Sequence, residues 1–159
     1  MVGSVRDERG AVAVQFAILL PVLLITVIGA FEVWKILHMQ QVLNDAAYQG
    51  VRLLCMQPDH RDAEGDRDMP QRVEKLVRRY VSTANFVDPA LRDNPENGSL
   101  LQVGITDTSL ECGAPVSVRV RLHWTVGQDW AGTPSASWFP FERQRRWLIG
   151  EATGSVLCR

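Results

Sequence analysis

The sequence predicts an α+β fold, in which a long N-terminal helix precedes a short helix and a small antiparallel sheet. Three observations predict it. Residues 11–31 carry no charge, apolar residues keep a helical spacing as far as Leu54, and apolar and polar residues alternate strictly over 116–126. At 159 residues, the chain has room for one domain with an appended segment.

The uncharged run over residues 11–31 has the length of a membrane span. Its 21 residues rise roughly 31 Å as a helix, close to the roughly 30 Å of a hydrocarbon core. A secretory signal has a core of about 7–15 residues and a small-x-small cleavage site, so the longer run here, which lacks that site, favours a permanent span. Pro21 is compatible with a spanning helix. Arg6 and Arg9, accompanied by two acidic residues, weakly favour a cytoplasmic N-terminus.

The helical pattern continues beyond the span. Apolar residues recur there at steps of three and four: Ile36, Met39, Leu43, Ala46, Ala47, Gly50 and Leu54. We therefore predict a helical stem over residues 11–54, apolar on all sides up to residue 31 and amphipathic after it. A plain anchor needs no such extension, whereas a stem that must leave the bilayer and then pack on something does.

A charged linker, residues 55–70, is predicted between the stem and a small α+β domain, residues 71–159. The domain begins with an amphipathic helix over 71–86. The apolar face of this helix is predicted to hold Val73, Leu76, Val77, Tyr80, Val81 and Ala84. Strands are predicted over 101–108, 116–126 and 146–157. One face of the resulting sheet should be buried and the other wet.

Residue types that perform catalysis or bind metals are scattered along the chain. His38 lies on the stem, His60 in the linker and His123 on the polar face of a strand, without a shared ligand spacing. The acidic residues of the linker lack the order of a calcium loop, and no phosphate-binding glycine loop or nucleophile elbow occurs. We expect a protein that is not an enzyme and needs no metal or cofactor. The balance of 17 basic and 18 acidic residues argues against a nucleic-acid partner.

Three cysteines allow one disulfide in three pairings. If the domain lies outside the cytoplasm, Cys112, in a turn before the strongest strand, and the penultimate Cys158 could join the C-terminus to the sheet. This bridge would close a loop of about 45 residues and stabilise the fold by about 3–4 kcal/mol on the chain-entropy model. The alternative is three unpaired thiols, with Cys55 buried at the apolar end of the stem.

The N-terminal third carries a pattern specific enough to be compared with a family. The residues that form it are Arg9-Gly10, residues 11–14, Phe16, Leu20-Pro21, Phe31-Glu32, Asn44-Asp45-Ala46-Ala47, Gly50 and Arg52. This pattern resembles the TadE-like family, small pilin-like proteins of the bacterial Tad/Flp tight-adherence pilus. The resemblance covers residues 9–53, and the C-terminal domain adds only a compatible order of helix and strands.

The resemblance implies a type IV pilin-like fold and a role in pilus assembly. A prepilin peptidase would cut after Gly10, so that residues 1–10 are a cytoplasmic leader and Ala11 is the mature N-terminus. The chain would cross the bacterial inner membrane once and place its C-terminal domain in the periplasm, where a disulfide can form. Its partners would be the peptidase, other pilin and pseudopilin subunits, the inner-membrane assembly platform and membrane lipid.

The expected function is that of a minor pilin or pseudopilin that helps to start, cap or support a Flp-type adhesion pilus by helix packing. Incorporation into the extracellular fibre stays open. The residues expected to act in stem assembly are Gln15, Phe16, Pro21 and Glu32. A competing hypothesis is an uncleaved single-span protein whose periplasmic domain scaffolds an envelope complex or binds a ligand.

Gln15 departs from the pattern that the resemblance implies. It is the fifth residue of the expected mature chain, where pilins usually carry a Glu that is thought to pair with the N-terminus of a neighbouring subunit. Gln forms hydrogen bonds without charge and avoids the cost of a carboxylate near hydrocarbon, up to a few kcal/mol. We hypothesise a subunit that does not repeat along the fibre but lies at its tip or at the membrane base. Drift at a tolerant site is the alternative.

Overall fold

The described part of the chain confirms the α+β fold. The computed structural model describes residues 5–56, 69–106, 113–125 and 145–156. Its elements are α1 (Val5–Met56), α2 (Met69–Ser82), α3 (Pro89–Asp93), β1 (Leu101–Thr106), β2 (Pro115–Thr125) and β3 (Arg145–Ser155). The chain divides into two compact units, Met1–Ile36 and Leu37–Arg159.

Helix α1 is longer than the predicted stem at both ends. It begins at Val5 rather than residue 11 and ends at Met56 rather than Leu54. Pro21 lies inside the helix. Charged residues are compatible with a helical backbone, so the helix also includes the charged residues that precede the apolar run. Residues 55–56 and 69–70 of the predicted linker belong to helices α1 and α2, and residues 57–68 lie outside the described part of the chain.

The part of α1 in the first unit exposes its apolar side chains on all sides. Phe16 is 67% exposed and Leu23 is 61% exposed. By length and composition, Val12–Met56 is the one helix in the described segments that could cross a membrane, and none of its most apolar window is buried. A helix of this kind requires lipid or other helices around it, because water would contact a large apolar surface. The first unit therefore fits a single-pass membrane protein.

The part of α1 in the second unit contributes to the core. The buried residues are Met39, Leu43, Ala46, Ala47, Gly50, Val51 and Leu54. Apart from Val51, these are members of the predicted stripe, so the amphipathic reading of the stem is confirmed. The compact unit begins at Leu37, so this half of the helix folds with the C-terminal elements.

The sheet is antiparallel with the strand order β1-β2-β3. Central strand β2 pairs with β1 from Ser117 to Leu122 and with β3 along its whole length. Its buried residues are Val116, Val118, Val120, Leu122 and Trp124. The predicted alternation is therefore confirmed. The predicted strand ends at residues 107–108, 126 and 157 lie outside the described part of the chain.

The apolar face of α2 is narrower than predicted. Val73, Val77 and Val81 are buried, whereas Leu76 is 38% exposed and Tyr80 is 42% exposed. The three valines are four residues apart, so they lie along one side of the helix and contact the core. Residues beside that line face solvent. The helix ends at Ser82, four residues before the predicted end.

Helix α3 is a short helix of five residues between α2 and β1, where no element was predicted. Asp88 caps it, since its side chain accepts a hydrogen bond of 2.8 Å from the backbone N–H of Ala90. Pro89 occupies the first turn, where its missing N–H leaves no bond unmade. Leu91 is fully buried, so one apolar residue ties this turn to the core.

Glycines allow β3 to lie very close to α1. An added Cβ at Gly150 would be 2.5 Å from the carbonyl carbon of Leu43 and 2.6 Å from its oxygen. At Gly154 it would be 2.5 Å from Cγ1 of Val51. Normal carbon–carbon contacts are about 3.5–4.0 Å, so only glycine fits at this separation. The backbone of the second half of the stem therefore packs directly against the sheet.

Candidate functional site: the N-terminal stem

The predicted processing residues lie within α1. Gly10 is exposed, and an added Cβ there would meet no atom within 4 Å. Ala11 is helical, and its side chain lies outside the described atoms. No contact with the described residues therefore requires glycine at this position. Cleavage after Gly10 stays a prediction.

The apolar span contains two polar side chains, Gln15 and Thr26. The hydroxyl of Thr26 donates a hydrogen bond of 2.9 Å to the carbonyl oxygen of Val22, so its own helix satisfies it. Gln15 is exposed, and its carboxamide has no hydrogen-bond partner within the described residues. In hydrocarbon such a group needs a partner from outside its own helix.

Charged and aromatic residues cluster at the end of the span. Lys35 Nζ donates a hydrogen bond of 2.7 Å to Oε1 of Glu32, and the Lys35 side chain is only 2% exposed. The same ammonium lies 5.5 Å from the ring centroid of Phe31, whose ring stacks on Trp34 at 5.6 Å. Phe31 and Trp34 are about half exposed. Aromatic rings at the end of an apolar run are typical of a membrane–water interface.

The Glu32–Lys35 pair is an ion pair formed within the stem itself. A buried ammonium is costly unless it is paired, so Glu32 makes the burial of Lys35 possible. The second carboxylate oxygen of Glu32, Oε2, is buried without a hydrogen-bond partner in the described part of the chain. Glu32 was predicted as a stem-assembly residue, and its shown contact is this intrahelical one.

The four predicted stem-assembly residues do not form one cluster. Gln15 and Phe16 lie near the start of the apolar run, Pro21 follows within it, and Glu32 comes after it. Gln15 and Glu32 are 17 positions apart on α1, roughly 26 Å by helical rise. A contact surface that includes all four must therefore extend along the span, and their role in assembly stays a prediction.

The two described histidines make aromatic contacts. His123 meets Trp147 edge to face at 5.2 Å, and His38 meets Phe86 edge to face at 6.1 Å. His60 lies outside the described residues. Within residues 5–56, 69–106, 113–125 and 145–156, no three His, Cys, Asp or Glu residues group in a way that could hold a metal ion.

The predicted disulfide partners, Cys112 and Cys158, lie outside the described residues, but the chain beside them is described. Gly113 donates its N–H to the carbonyl oxygen of Val156 at 3.1 Å, and Val156 donates to Ala114 at 3.2 Å. Two residues thus oppose one, as in a β-bulge, and Gly113 has the positive φ of 81° that such a bulge favours. Gly113, one residue after Cys112, is therefore hydrogen-bonded to Val156, two residues before Cys158. The disulfide stays a prediction.

Cys55 is a free thiol near the end of α1. Burial raises the pKa of this thiol, because desolvation disfavours the thiolate. Its Sγ would be 3.1 Å from a Cβ added at Gly154, which places it against β3. Of the three pairings that the sequence allows, Cys112–Cys158 is the one that does not require Cys55.

Arg78 is a structural residue, because its guanidinium bonds to three acceptors. It bonds to Oε1 of Glu74 at 2.8 Å through Nε. Its Nη1 donates to the carbonyl oxygens of Pro95 and Leu101, at 3.1 and 3.0 Å. It therefore ties α2 to the segment that leads into β1. The spacing of Glu74 and Arg78 indicates their ion pair, but nothing in the sequence indicates the two carbonyl contacts.

Comparison with known families concerns the stem. The family model described as TadE-like protein matches residues 10–52. Neither a curated protein nor a solved structure matches the chain. The matched range contains the apolar span, the Glu32–Lys35 pair and most of the stripe that packs on the sheet. The predicted resemblance is therefore confirmed: over residues 10–52, the chain is similar to TadE-like proteins.

Proposed function

We propose that this chain is a minor pilin or pseudopilin that takes part in assembling a Flp-type adhesion pilus through its stem. The TadE-like stem associates the chain with Tad pilus systems. The proposal rests on the observation that the two halves of α1 differ in how they are covered. One is apolar on every side and uncovered, and the other is packed into a folded domain.

The uncovered half suits an exchange between lipid and a bundle of similar helices. Lipid tails are as apolar as the side chains of the span, so leaving the membrane for a bundle gives little hydrophobic gain. Packing and interhelical hydrogen bonds then decide the equilibrium. A subunit that must enter and leave an assembly benefits from such a balanced surface.

The packed half gives the domain a firm attachment. The backbone of Leu43 lies against Gly150, and Gly50 lies close to Val77 and Val118. Because the stem residues from 37 onward are part of the domain core, a force on this part of the helix acts on the domain directly. The domain would face the periplasm, and prepilin peptidase, other pilin and pseudopilin subunits and the inner-membrane platform would be its partners in assembly.

Processing is the first test of the proposal. The full chain is expressed in a bacterium that carries a Tad system, extracted from membranes and analysed by intact mass. We expect a mature chain that begins at Ala11. Gly10→Val should leave the full-length precursor, whereas Ala13→Val, a matched change three residues later, should not. A chain that retains Met1 or Val2 would support the uncleaved scaffold instead.

Gln15 supports a position at the tip or base of the fibre. Without a charge, it cannot form the ion pair that the resemblance implies between successive subunits. Gln15→Glu should allow the subunit to distribute along the fibre, as seen by immunogold labelling of isolated pili. An unchanged distribution of the Glu variant would contradict this assignment and favour drift at a tolerant site.

We propose no catalytic role for the chain. His123 lies against Trp147 on the outer face of the sheet, a contact that accounts for its position without a reaction. An enzymatic activity that is lost in His123→Ala while the fold is retained would contradict this part of the proposal.

A further inference from the structure

Gln15 requires a hydrogen-bond partner that the described part of its own chain does not supply. Thr26, the other polar residue of the span, bonds to the carbonyl oxygen of Val22, whereas the Gln15 carboxamide has no partner within the described residues. Gln15 lies four residues after Ala11, roughly 6 Å into the apolar run by helical rise. An amide left unpaired at this depth is unfavourable, so a second helix that satisfies it is stabilised.

We propose that the partner is Gln15 of a second copy, and that the chain forms a parallel homodimer through its membrane span. A carboxamide has two N–H donors and an acceptor oxygen, so two such groups can each donate to the other. Copies inserted with the same topology place Gln15 at the same depth, which allows this reciprocal pair. A carboxylate could not do this, because two like charges would repel. The inference rests on the proposed placement of the stem in a membrane.

The helix face that contains Gln15 includes the apolar Leu19 and Val22, about 40° and 20° from it around the helix, and two smaller residues nearer the end of the span. At about 100° per residue, Thr26 lies about 20° and Gly29 about 40° from Gln15 around the helix. An added Cβ at Gly29 would meet no atom within 4 Å, so the backbone there is bare and open. Small residues let two membrane helices approach closely enough for polar side chains to bond. Ala17 lies about 160° away, on the opposite face.

The test measures self-association of the full chain in detergent micelles by sedimentation equilibrium. We expect a dimer for the unmodified chain. Gln15→Leu should raise its dissociation constant about five- to thirtyfold, which corresponds to about 1–2 kcal/mol for the lost interhelical bonds. Gln40→Leu, which removes an exposed glutamine outside the uncharged run, is the matched control and should leave the constant unchanged.

A second pair of variants tests the face. Gly29→Leu should weaken the dimer, because a side chain would separate the two helices, whereas Ala17→Leu on the opposite face should not. Equal effects of these two variants would overturn the assigned face and with it the proposal.

Three other results would overturn the homodimer. They are a dimer unaffected by Gln15→Leu, a monomer at all concentrations, and association only with the span of a different pilin. Extraction of membranes with alkaline carbonate separates this failure from that of the proposed function. A membrane-embedded monomer contradicts the homodimer alone, while a chain released by carbonate contradicts both.

Discussion

Replacement of Gly150 by alanine tests whether the stem backbone rests on the sheet as the structure indicates. Gly150 is buried in β3, and its hydrogen atoms face Leu43 of α1. Gly104, in β1, is the matched control, because it is also a strand glycine. An added Cβ at Gly104 would meet nothing closer than the carbonyl oxygen of Arg119 at 3.9 Å.

The contact distances set the expected magnitude. A Cβ at Gly150 would meet three atoms of Leu43 at 2.5, 2.6 and 2.7 Å, roughly 1 Å inside normal contact. Two of these atoms are backbone, so a rotamer change cannot relieve the overlap, and the helix must move away from the sheet. Overpacking of this kind costs about 1–3 kcal/mol, and we expect about 3 kcal/mol here. Gly104→Ala should be neutral or stabilise the fold by up to about 1 kcal/mol.

The assay is thermal unfolding of the full chain in detergent micelles, followed by tryptophan fluorescence. At about 2–4 °C per kcal/mol for a chain of this size, Gly150→Ala should lower Tm by roughly 6–12 °C. Gly154→Ala should have a smaller effect, because its added Cβ meets the side-chain atoms of Val51 and Cys55, which can move. If Gly150→Ala and Gly104→Ala have the same Tm, the close packing of stem and sheet is wrong.

Three further predictions concern other parts of the domain. Arg78→Ala should lower the free energy of unfolding by about 1–3 kcal/mol, because two backbone carbonyls and a carboxylate lose a charged donor. The control is Arg79→Ala, on the exposed side of α2, which should change the free energy of unfolding by less than about 0.5 kcal/mol. Non-reducing peptide mapping of the membrane-extracted chain should recover Cys112 and Cys158 in one linked peptide pair, and separate free peptides would refute the bridge. Cys55 should react slowly with iodoacetamide at pH 8. The pKa of this thiol is raised in the folded state, so its contribution to stability is full below the unfolded-state pKa and declines as pH rises above that value. Fast alkylation at pH 8 would contradict the raised pKa.

Periodic elements were predictable from the sequence because their pattern reflects a single buried face. The stripe that includes Met39 and Leu43 and the alternation that includes Val118 and Val120 each repeat with the period of their backbone. Helix α3 was missed because one turn is too short to show a period, although Asp88 before Pro89 is a recognisable N-terminal signal.

Parts of the candidate site were also accessible from sequence. The sequence shows directly the length of the uncharged run, Gln15 within it and Glu32 after it. The family match over residues 10–52 agrees with the resemblance. The pairing of Glu32 with a buried Lys35 was not predicted, although their spacing of three residues on a helix is a usable signal. This spacing does not indicate the burial of Lys35, which is only 2% exposed.

The sequence by itself determined the classes and order of the long elements, though not α3, and the division of the stem into an apolar and an amphipathic half. These properties follow from local periodicity and from the distribution of charge, which need no knowledge of distant contacts. The tertiary structure alone decided that β3 packs against α1 at Gly150 and Gly154, and that Arg78 joins α2 to the chain before β1. A glycine in a strand or an arginine on a helix can have several structural roles. Which role it has depends on the atoms that contact it from distant parts of the chain.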